Sequence, residues 1–488
     1  MTAVAEREHG DLPIVSAETA SEHVPDDGIV VVSGFGSVGY PKSVPLALAE
    51  SDRDLSLTVI SGGSVGEEID ETLADADAIA RRFPYQARSG TRTRINGGEM
   101  AFADAHIASF GDRVRVGEFG TPDVAIVEAI AAGPDWLIPS TSIGHTPAYV
   151  AAADRIIVEL NEVQPLSLQH FHDVYVPDPP PHREPIQLRH PAERIGSPTV
   201  SFDSKKLVAA VRTARPDTPY TFRETTPDDE SIAAKLIGFV EGELERNPYL
   251  DERLCLQFGV GSLGNALMGG FEDLDVGDRD LIYFGEVIQD GLLDMLGAGK
   301  LESASAASLA LSKSHLERLF ENPDDYADNI VVRNADVSNN PALIDRFGVI
   351  AVNSALEIDL YGNVNSTHIG GKHLQNGIGG GGDFNRNALI SITALSSVAS
   401  GGEIPRIVPM VPHVDHTEHD VSVVITEQGV ADLRGLSPRE RADELIENCA
   451  HPSYRPALRS YLDRSDRSGG HVPHDLDEAF SSLERRES

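Results

Sequence analysis

Ile29-Val30-Val31-Val32-Ser33-Gly34-Phe35-Gly36-Ser37-Val38-Gly39 is a β-branched apolar run that breaks into a glycine turn, and Pro41 to Glu50 after it carries a helical pattern. The same order returns in the second half of the chain. Leu254-Cys255-Leu256-Gln257-Phe258 leads into Gly259-Val260-Gly261-Ser262-Leu263-Gly264, and a helical pattern runs on from Asn265. Strand, glycine turn and helix form the opening unit of an α/β layer, and two copies predict two related open α/β domains. Between them, Thr213 to Asp229 turns to Arg, Pro, Asp and Thr with little apolar periodicity, as a connector does. The expected division is an N-terminal α/β domain over 1–215, a linker over 216–229, a C-terminal α/β domain over 230–465 and a charged tail over 466–488 with little order of its own. Pro177, Pro179, Pro180, Pro181 and Pro185 predict a stiff extended arm from Val176 to Arg189.

The 488 residues are too many for one compact core, in keeping with two or three domains. No segment approaches the roughly 18 consecutive apolar residues of a membrane helix, and Met1 to Pro13 lacks the basic start and apolar stretch of a signal peptide. Two cysteines, Cys255 and Cys449, are too few for a disulfide framework, so a reducing cytoplasm is the expected compartment. The net charge of −37 excludes phosphate backbones and anionic membranes as partners, since both require clustered Lys and Arg. Only 7 of the 40 basic residues are lysine, and a surface dominated by Arg and carboxylates reads as adaptation to high salt, where screening mutes like-charge repulsion. If the chain is a soluble enzyme, a homodimer is its expected state.

Several motifs invite chemistry. Gly34-Phe35-Gly36-Ser37-Val38-Gly39 matches the dinucleotide fingerprint, but that fingerprint also requires an acid at the end of the next strand to hold the ribose. The next strand, Leu55 to Ile60, ends in Ser61-Gly62-Gly63, and Asp52 and Asp54 lie at its wrong end, so nicotinamide binding is disfavoured. His413-Val414-Asp415-His416-Thr417-Glu418-His419-Asp420 has the composition of a metal site. Its flanks are strand-like, however, and alternation would send its side chains to opposite faces; a hydrogen-bonded bend is expected, and no metal. Gly377-Ile378-Gly379-Gly380-Gly381-Gly382 reads either as a flexible loop or as backbone N–H groups presented to an anion. Finally, Leu281-Ile282-Tyr283-Phe284-Gly285-Glu286 delivers one carboxylate at the end of a hydrophobic strand, just before a helix. Ligands of open α/β sheets sit at such strand ends, although an acid there also serves as a helix cap.

Together with Asn353 to Ser366, the glycine loop running into Asp383-Phe384, His413 to Asp420 and Thr426 to Gly435, the stretch Tyr283 to Asp290 resembles the acetyl-CoA hydrolase/transferase family. Pro41-Lys42, Pro84-Tyr85-Gln86 and His172-Asp173-Val174-Tyr175 extend the resemblance through the first half. It implies a two-domain fold of the CoA-transferase type. It further implies that CoA moves between an acyl-CoA (succinyl-, propionyl- or acetyl-CoA) and a small carboxylate such as acetate, with CoA as substrate and no tightly bound cofactor. In this resemblance Glu286 is the nucleophile that passes through an acyl anhydride and a glutamyl-CoA thioester. Asn339 orients it, and the Gly380 N–H faces the oxyanion. Gly259, Val260, Gly261, Ser262, Leu263, Leu356, Asn376 and Gly380 fall at CoA-contacting positions. Ser400 departs from the family, standing where a lysine would meet the CoA phosphates; Arg406 and Lys372 are the candidate substitutes. Water in place of the acceptor acid makes the same machinery an acyl-CoA hydrolase, and a protein that binds CoA without turnover is the remaining alternative.

Overall fold

The computed structural model describes residues 4–218, 224–259, 262–272 and 274–480. The chain divides into two compact units, one of Met1–Thr221 and Ile282–Leu343, the other of Phe222–Leu281 and Ile344–Ser488. The first unit holds a twisted parallel sheet in the order Leu207–Thr213, Arg155–Asn161, Val124–Gly133, Ile29–Val32, Leu57–Ile60, Ile79–Phe83 and Ala101–Phe102. The opening run does become a strand, and its glycine turn leads to the helix Ser43–Ala49. Val30, Val32, Leu57, Val59, Val124 and Ile126 form the core against that helix, burying side chains that alternation along each strand turns to one face.

Ile282–Leu343 lies inside the stretch expected as one C-terminal domain, 230–465, yet it groups with the first unit. Backbone pairing is the physical reason. Its strands Ser303–Ala306 and Ile330–Arg333 run parallel to one another, and Val332 and Arg333 pair with His172 and Asp173. Ser308 bridges Ser142, and Asn334 bridges Gly144. Arg333 is fully buried and closes this junction, its guanidinium reaching Asp173, the Pro191 carbonyl and Ser305 Oγ.

The second unit carries the repeat of the motif: the strand Arg253–Phe258 followed by the helix Ser262–Glu272. Its ladder runs Arg253–Phe258, Ile350–Ser354, Ile390–Ala394 and Val423–Ile425, all parallel, with Val430–Asp432 antiparallel at the edge. The expected linker is more structured than its composition suggests. The helix Pro227–Arg246 already starts within it, on a capping box between Thr226 and Asp229. Earlier in the linker, Asp217 is tied down in the first unit by the Gly39 N–H at 3.1 Å, Thr141 Oγ1 at 2.7 Å and Lys42 Nζ at 2.9 Å. Residues 219–223 lie outside the described residues.

The tail expected to have little order packs instead, as far as residue 480. The Tyr361 hydroxyl donates to the Pro473 carbonyl, the Tyr461 hydroxyl meets His474 Nδ1 at 2.9 Å, and Ala479 is buried. Residues 481–488 lie outside the described residues. The proline arm runs without regular secondary structure and is held by Arg183 to Asp112 at 2.7 Å and Arg115 to the Pro177 carbonyl at 3.2 Å.

Candidate active site

The strand Asp280–Phe284 ends before Gly285, a position that requires glycine, because a Cβ there would sit 2.4 Å from the Tyr283 hydroxyl. That hydroxyl donates to the Val287 carbonyl at 3.1 Å, bracing the chain across Glu286. The Glu286 carbonyl accepts the Ala307 N–H at 2.8 Å, and Val287 and Ile288 then pair in parallel with Ser308 and Leu309. The backbone on both sides of the carboxylate is thus fixed.

The first glycine turn has a role that its sequence did not disclose. Gly36 adopts φ +66, and a Cβ on it would lie 3.0 Å from Val287. Beside it Phe35 joins Val287, Ala307, Ala335 and Ile107 in a small apolar cluster. The turn that resembles a nucleotide cradle therefore supports the strand that follows Glu286. Glycine at a left-handed φ is the signal for such close backbone approach, but the signal does not name the partner.

Asn339 ends the short helix Ala335–Ser338, with its own N–H bonded to the Ala335 carbonyl at 3.0 Å. Its amide Nδ2 donates to Glu286 Oε1 at 3.0 Å. The structure thus brings together two residues 53 positions apart. Glu286 keeps part of its surface open to solvent, yet its surroundings remove enough water to push the carboxyl up to about 7; the Asn339 hydrogen bond pulls the other way and is the weaker influence. A poorly solvated carboxylate with one donor on one oxygen leaves the other oxygen available for attack on an electrophile.

In the second unit, Gly259 ends the strand Arg253–Phe258 with its N–H on the Val352 carbonyl at 3.2 Å. Val260 and Gly261 lie outside the described residues, as does the Ser262 side chain; Leu263 is half-buried in the first turn of the following helix. Gly380 is buried and caps the helix Gly381–Asn387, and its carbonyl accepts the Asp383 and Phe384 N–H groups at 3.0 and 3.1 Å. Ile378 to Gly382 is therefore the entry to a helix rather than a slack loop. Asn353, absent from the expected site, lies beside both glycine turns. A Cβ on Gly259 would be 3.8 Å from its Oδ1, and one on Gly381 would be 3.7 Å away. Its amide exchanges two 3.2 Å hydrogen bonds with Gln257 and donates to Asn385 Oδ1 at 2.8 Å. Local sequence could not reveal it, because Gln257 and Asn353 meet across paired strands and Asn385 reaches them from the helix Gly381–Asn387.

Leu356 is half-buried, with its N–H on the Asn365 carbonyl at 2.9 Å. Asn376 Oδ1 is buried with no hydrogen-bond partner among the described residues, an acceptor that a ligand donor would satisfy. Ser400 is exposed, at φ +50. Of the two cations considered as its substitute, Arg406 spends Nε and Nη2 on the carbonyls of Leu356 and Ala355, at 2.7 Å each, and Lys372 lies on the surface.

The His413–Asp420 segment forms a bend. Asp415 accepts from the Ser366 N–H at 2.6 Å and from Thr367 Oγ1 at 2.9 Å, His413 Nε2 meets Asp415 at 3.1 Å, and Thr417 and Asp420 cap one another. Among the described residues no group of three or more His, Cys, Asp or Glu is arranged to hold a metal. No helix among them is long and apolar enough to cross a membrane.

The model of the acetyl-CoA hydrolase/transferase N-terminal domain matches residues 8–212, and that of the C-terminal domain matches residues 316–462. A succinyl-CoA:acetate CoA-transferase of Clostridium kluyveri is 42% identical over 96% of this chain and 88% of its own length. A propanoyl-CoA:succinate CoA transferase of Escherichia coli is 41% identical over 96% of both chains. An acetyl-CoA hydrolase of Eremothecium gossypii is 39% identical over 92% of this chain and 89% of its own. Among solved structures, RipA from Yersinia pestis superposes with a TM-score of 0.70 at 22% identity, covering 93% of this chain and 97% of its own, a likeness of fold.

Proposed function

Since the chain belongs to the acetyl-CoA hydrolase/transferase family, we propose that it moves CoA from an acyl-CoA, such as succinyl-, propionyl- or acetyl-CoA, to a small carboxylate such as acetate, with Glu286 as the nucleophile. The observation that carries this reading is the Glu286–Asn339 pair, a desolvated carboxylate held by one amide at the end of a strand. In the proposed cycle one Glu286 oxygen attacks the thioester carbonyl, expelling CoA thiolate and leaving an acyl-glutamyl anhydride. The thiolate then attacks the glutamyl carbonyl, releasing the first acid as its carboxylate and leaving a glutamyl-CoA thioester. The acceptor carboxylate runs the two steps in reverse, so no net proton or water is consumed. In the same proposal the Gly380 N–H stabilises the tetrahedral oxyanion, and Gly259 to Leu263, Leu356, Asn376 and Ser400 contact CoA. The enzyme is taken as a cytoplasmic homodimer with no tightly bound cofactor, and its charge of −37 supports a high-salt habitat.

Hydrolysis is the second reading, supported by the solvent-open part of the Glu286 side chain and by relatives that are acetyl-CoA hydrolases. The deciding experiment is intact and peptide mass spectrometry of the protein incubated with acyl-CoA alone. A CoA adduct on Glu286 is expected; turnover without any adduct there would remove the covalent route.

The pH dependence follows from the same carboxyl. Burial raises the Glu286 group to about 7, so below that pH the protonated, non-nucleophilic form dominates. In a pH series, kcat/KM for the acyl-CoA should therefore fall about tenfold per pH unit below 7. An acid limb at the ordinary glutamate position, near pH 4 to 5, contradicts this.

A further inference from the structure

We propose that Ser338 is a positioning residue: its hydroxyl fastens the oxygen end of the Asn339 amide and so delivers the amide N–H to Glu286. The inference rests on the reading of Glu286 as the nucleophile. Ser338 Oγ donates to Asn339 Oδ1 at 2.8 Å, while the other end of the same amide, Nδ2, donates to Glu286 Oε1 at 3.0 Å. Both Ser338 and Asn339 are fully buried. A carbonyl oxygen carries no proton, so in this contact the serine is the donor, and an amide whose oxygen is engaged on one side presents its N–H groups on the other.

The backbone beneath this relay is held by hydrogen bonds at several points. The helix is only Ala335–Ser338, yet the Ala335 N–H bonds to the Gly144 carbonyl at 2.8 Å and the Ser338 N–H to that of Asn334 at 3.2 Å. Asn334 accepts the Tyr175 N–H at 3.1 Å and donates to Asp336 at 3.0 Å, and Arg333 is locked to Asp173 just before it. With the main chain so held, the serine bond restrains rotation of the Asn339 side chain.

The chemistry makes that restraint matter. While Glu286 is ionised, its charge attracts the amide N–H strongly. Once it becomes an anhydride or thioester the charge is gone, and the glutamyl group offers the amide a neutral carbonyl oxygen in its place. The serine bond is the same in both states, so it keeps the donor in place during the half of the cycle when the glutamyl group cannot.

The test is Ser338→Ala in the full-length protein, assayed for acyl-CoA:acetate exchange across pH. Loss of one such hydrogen bond should lower kcat about tenfold with both KM values within about twofold. It should also move the acid limb of kcat/KM to higher pH, because the Asn339 bond that lowers the Glu286 pKa is weakened. Ser338→Cys, which keeps the size and a weak donor, should fall between wild type and alanine. Wild-type kcat and an unmoved acid limb in Ser338→Ala overturn the proposal. So does a fall in kcat with an unmoved limb and a lowered thermal midpoint, which marks a purely structural role. Mass spectrometry of the wild type in the same series separates the premise from the inference. A missing Glu286 adduct refutes the nucleophile, whereas an adduct in a series where Ser338→Ala behaves as wild type refutes Ser338 alone.

Discussion

Replacing Glu286 with alanine should abolish CoA transfer, lowering kcat/KM by more than about 10³-fold, in a protein that still folds and still binds CoA. The size of the effect follows from the role. If the glutamyl group carries CoA between the two half-reactions, no neighbouring side chain can inherit that role, and direct attack of acetate on the thioester has to proceed without the covalent relay. Folding should survive because the carboxylate gains little from its place. Burial already holds its ionised form at a disadvantage, which is why the group titrates near 7, and Asn339 contributes one hydrogen bond. Glu286→Gln should lose as much activity, because it keeps the shape and the amide contact but not the nucleophilic oxygen. The measurement is exchange of labelled acetate into acyl-CoA, together with CoA binding by calorimetry. Activity within tenfold of wild type in either variant sinks the assignment.

The second large effect is on stability and centres on Lys42. This lysine is fully buried in the first unit, with Nζ 2.5 Å from Glu128, 2.9 Å from Asp217 and 2.8 Å from the Tyr40 carbonyl. Burial by itself lowers a lysine pKa, but Asp217 and Glu128 outweigh it, so the side chain stays a cation. Nearby, the Glu159 carboxylate accepts the N–H groups of Lys42, Ser43 and Val44 at 2.7 to 3.0 Å, anchoring the start of the helix Ser43–Ala49. Lys42→Met keeps the volume and removes the buried cation that faces Glu128 and Asp217, leaving both carboxylates without that counter-charge. Breaking a buried pair in this way costs about 3–5 kcal/mol, which urea denaturation should register. Because Asp217 also holds the Gly39 N–H, the glycine turn behind Val287 should loosen, and transfer activity should fall with stability. Adding Glu128→Gln to Lys42→Met should recover part of the loss; a single variant within 1 kcal/mol of wild type would show that the cluster does not hold the turn.

Much of this molecule is legible before any folding is considered. The apolar runs ending in glycine at 29–39 and 254–264 are local patterns, and each became a strand followed by a helix. The carboxylate at the end of 281–286 was equally visible, although one acid at a strand end has no unique meaning. The family resemblance, rather than spacing, singled out Asn339 and Gly380. The described parts of the tail and the linker are held more firmly than their polar composition suggests, because Tyr361, Tyr461, Lys42 and Thr141 offer specific partners to Pro473, His474 and Asp217, and hydrogen bonds to distant residues leave no trace in composition.

By itself, then, the sequence determined the α/β class, the strand-then-helix units at 29–50 and from 254 onward, and the strand-end segment that bears Glu286, because these depend on side-chain periodicity and on the backbone freedom of glycine, which act over a few residues. Only the tertiary structure decided that 282–343 joins the N-terminal half, that Gly36 backs the strand after Glu286, and that Ser338, Asn339 and Glu286 form one relay. Those depend on which strands pair in parallel. A parallel pair is joined by a long crossover, so it brings together residues whose separation along the chain carries no local signal.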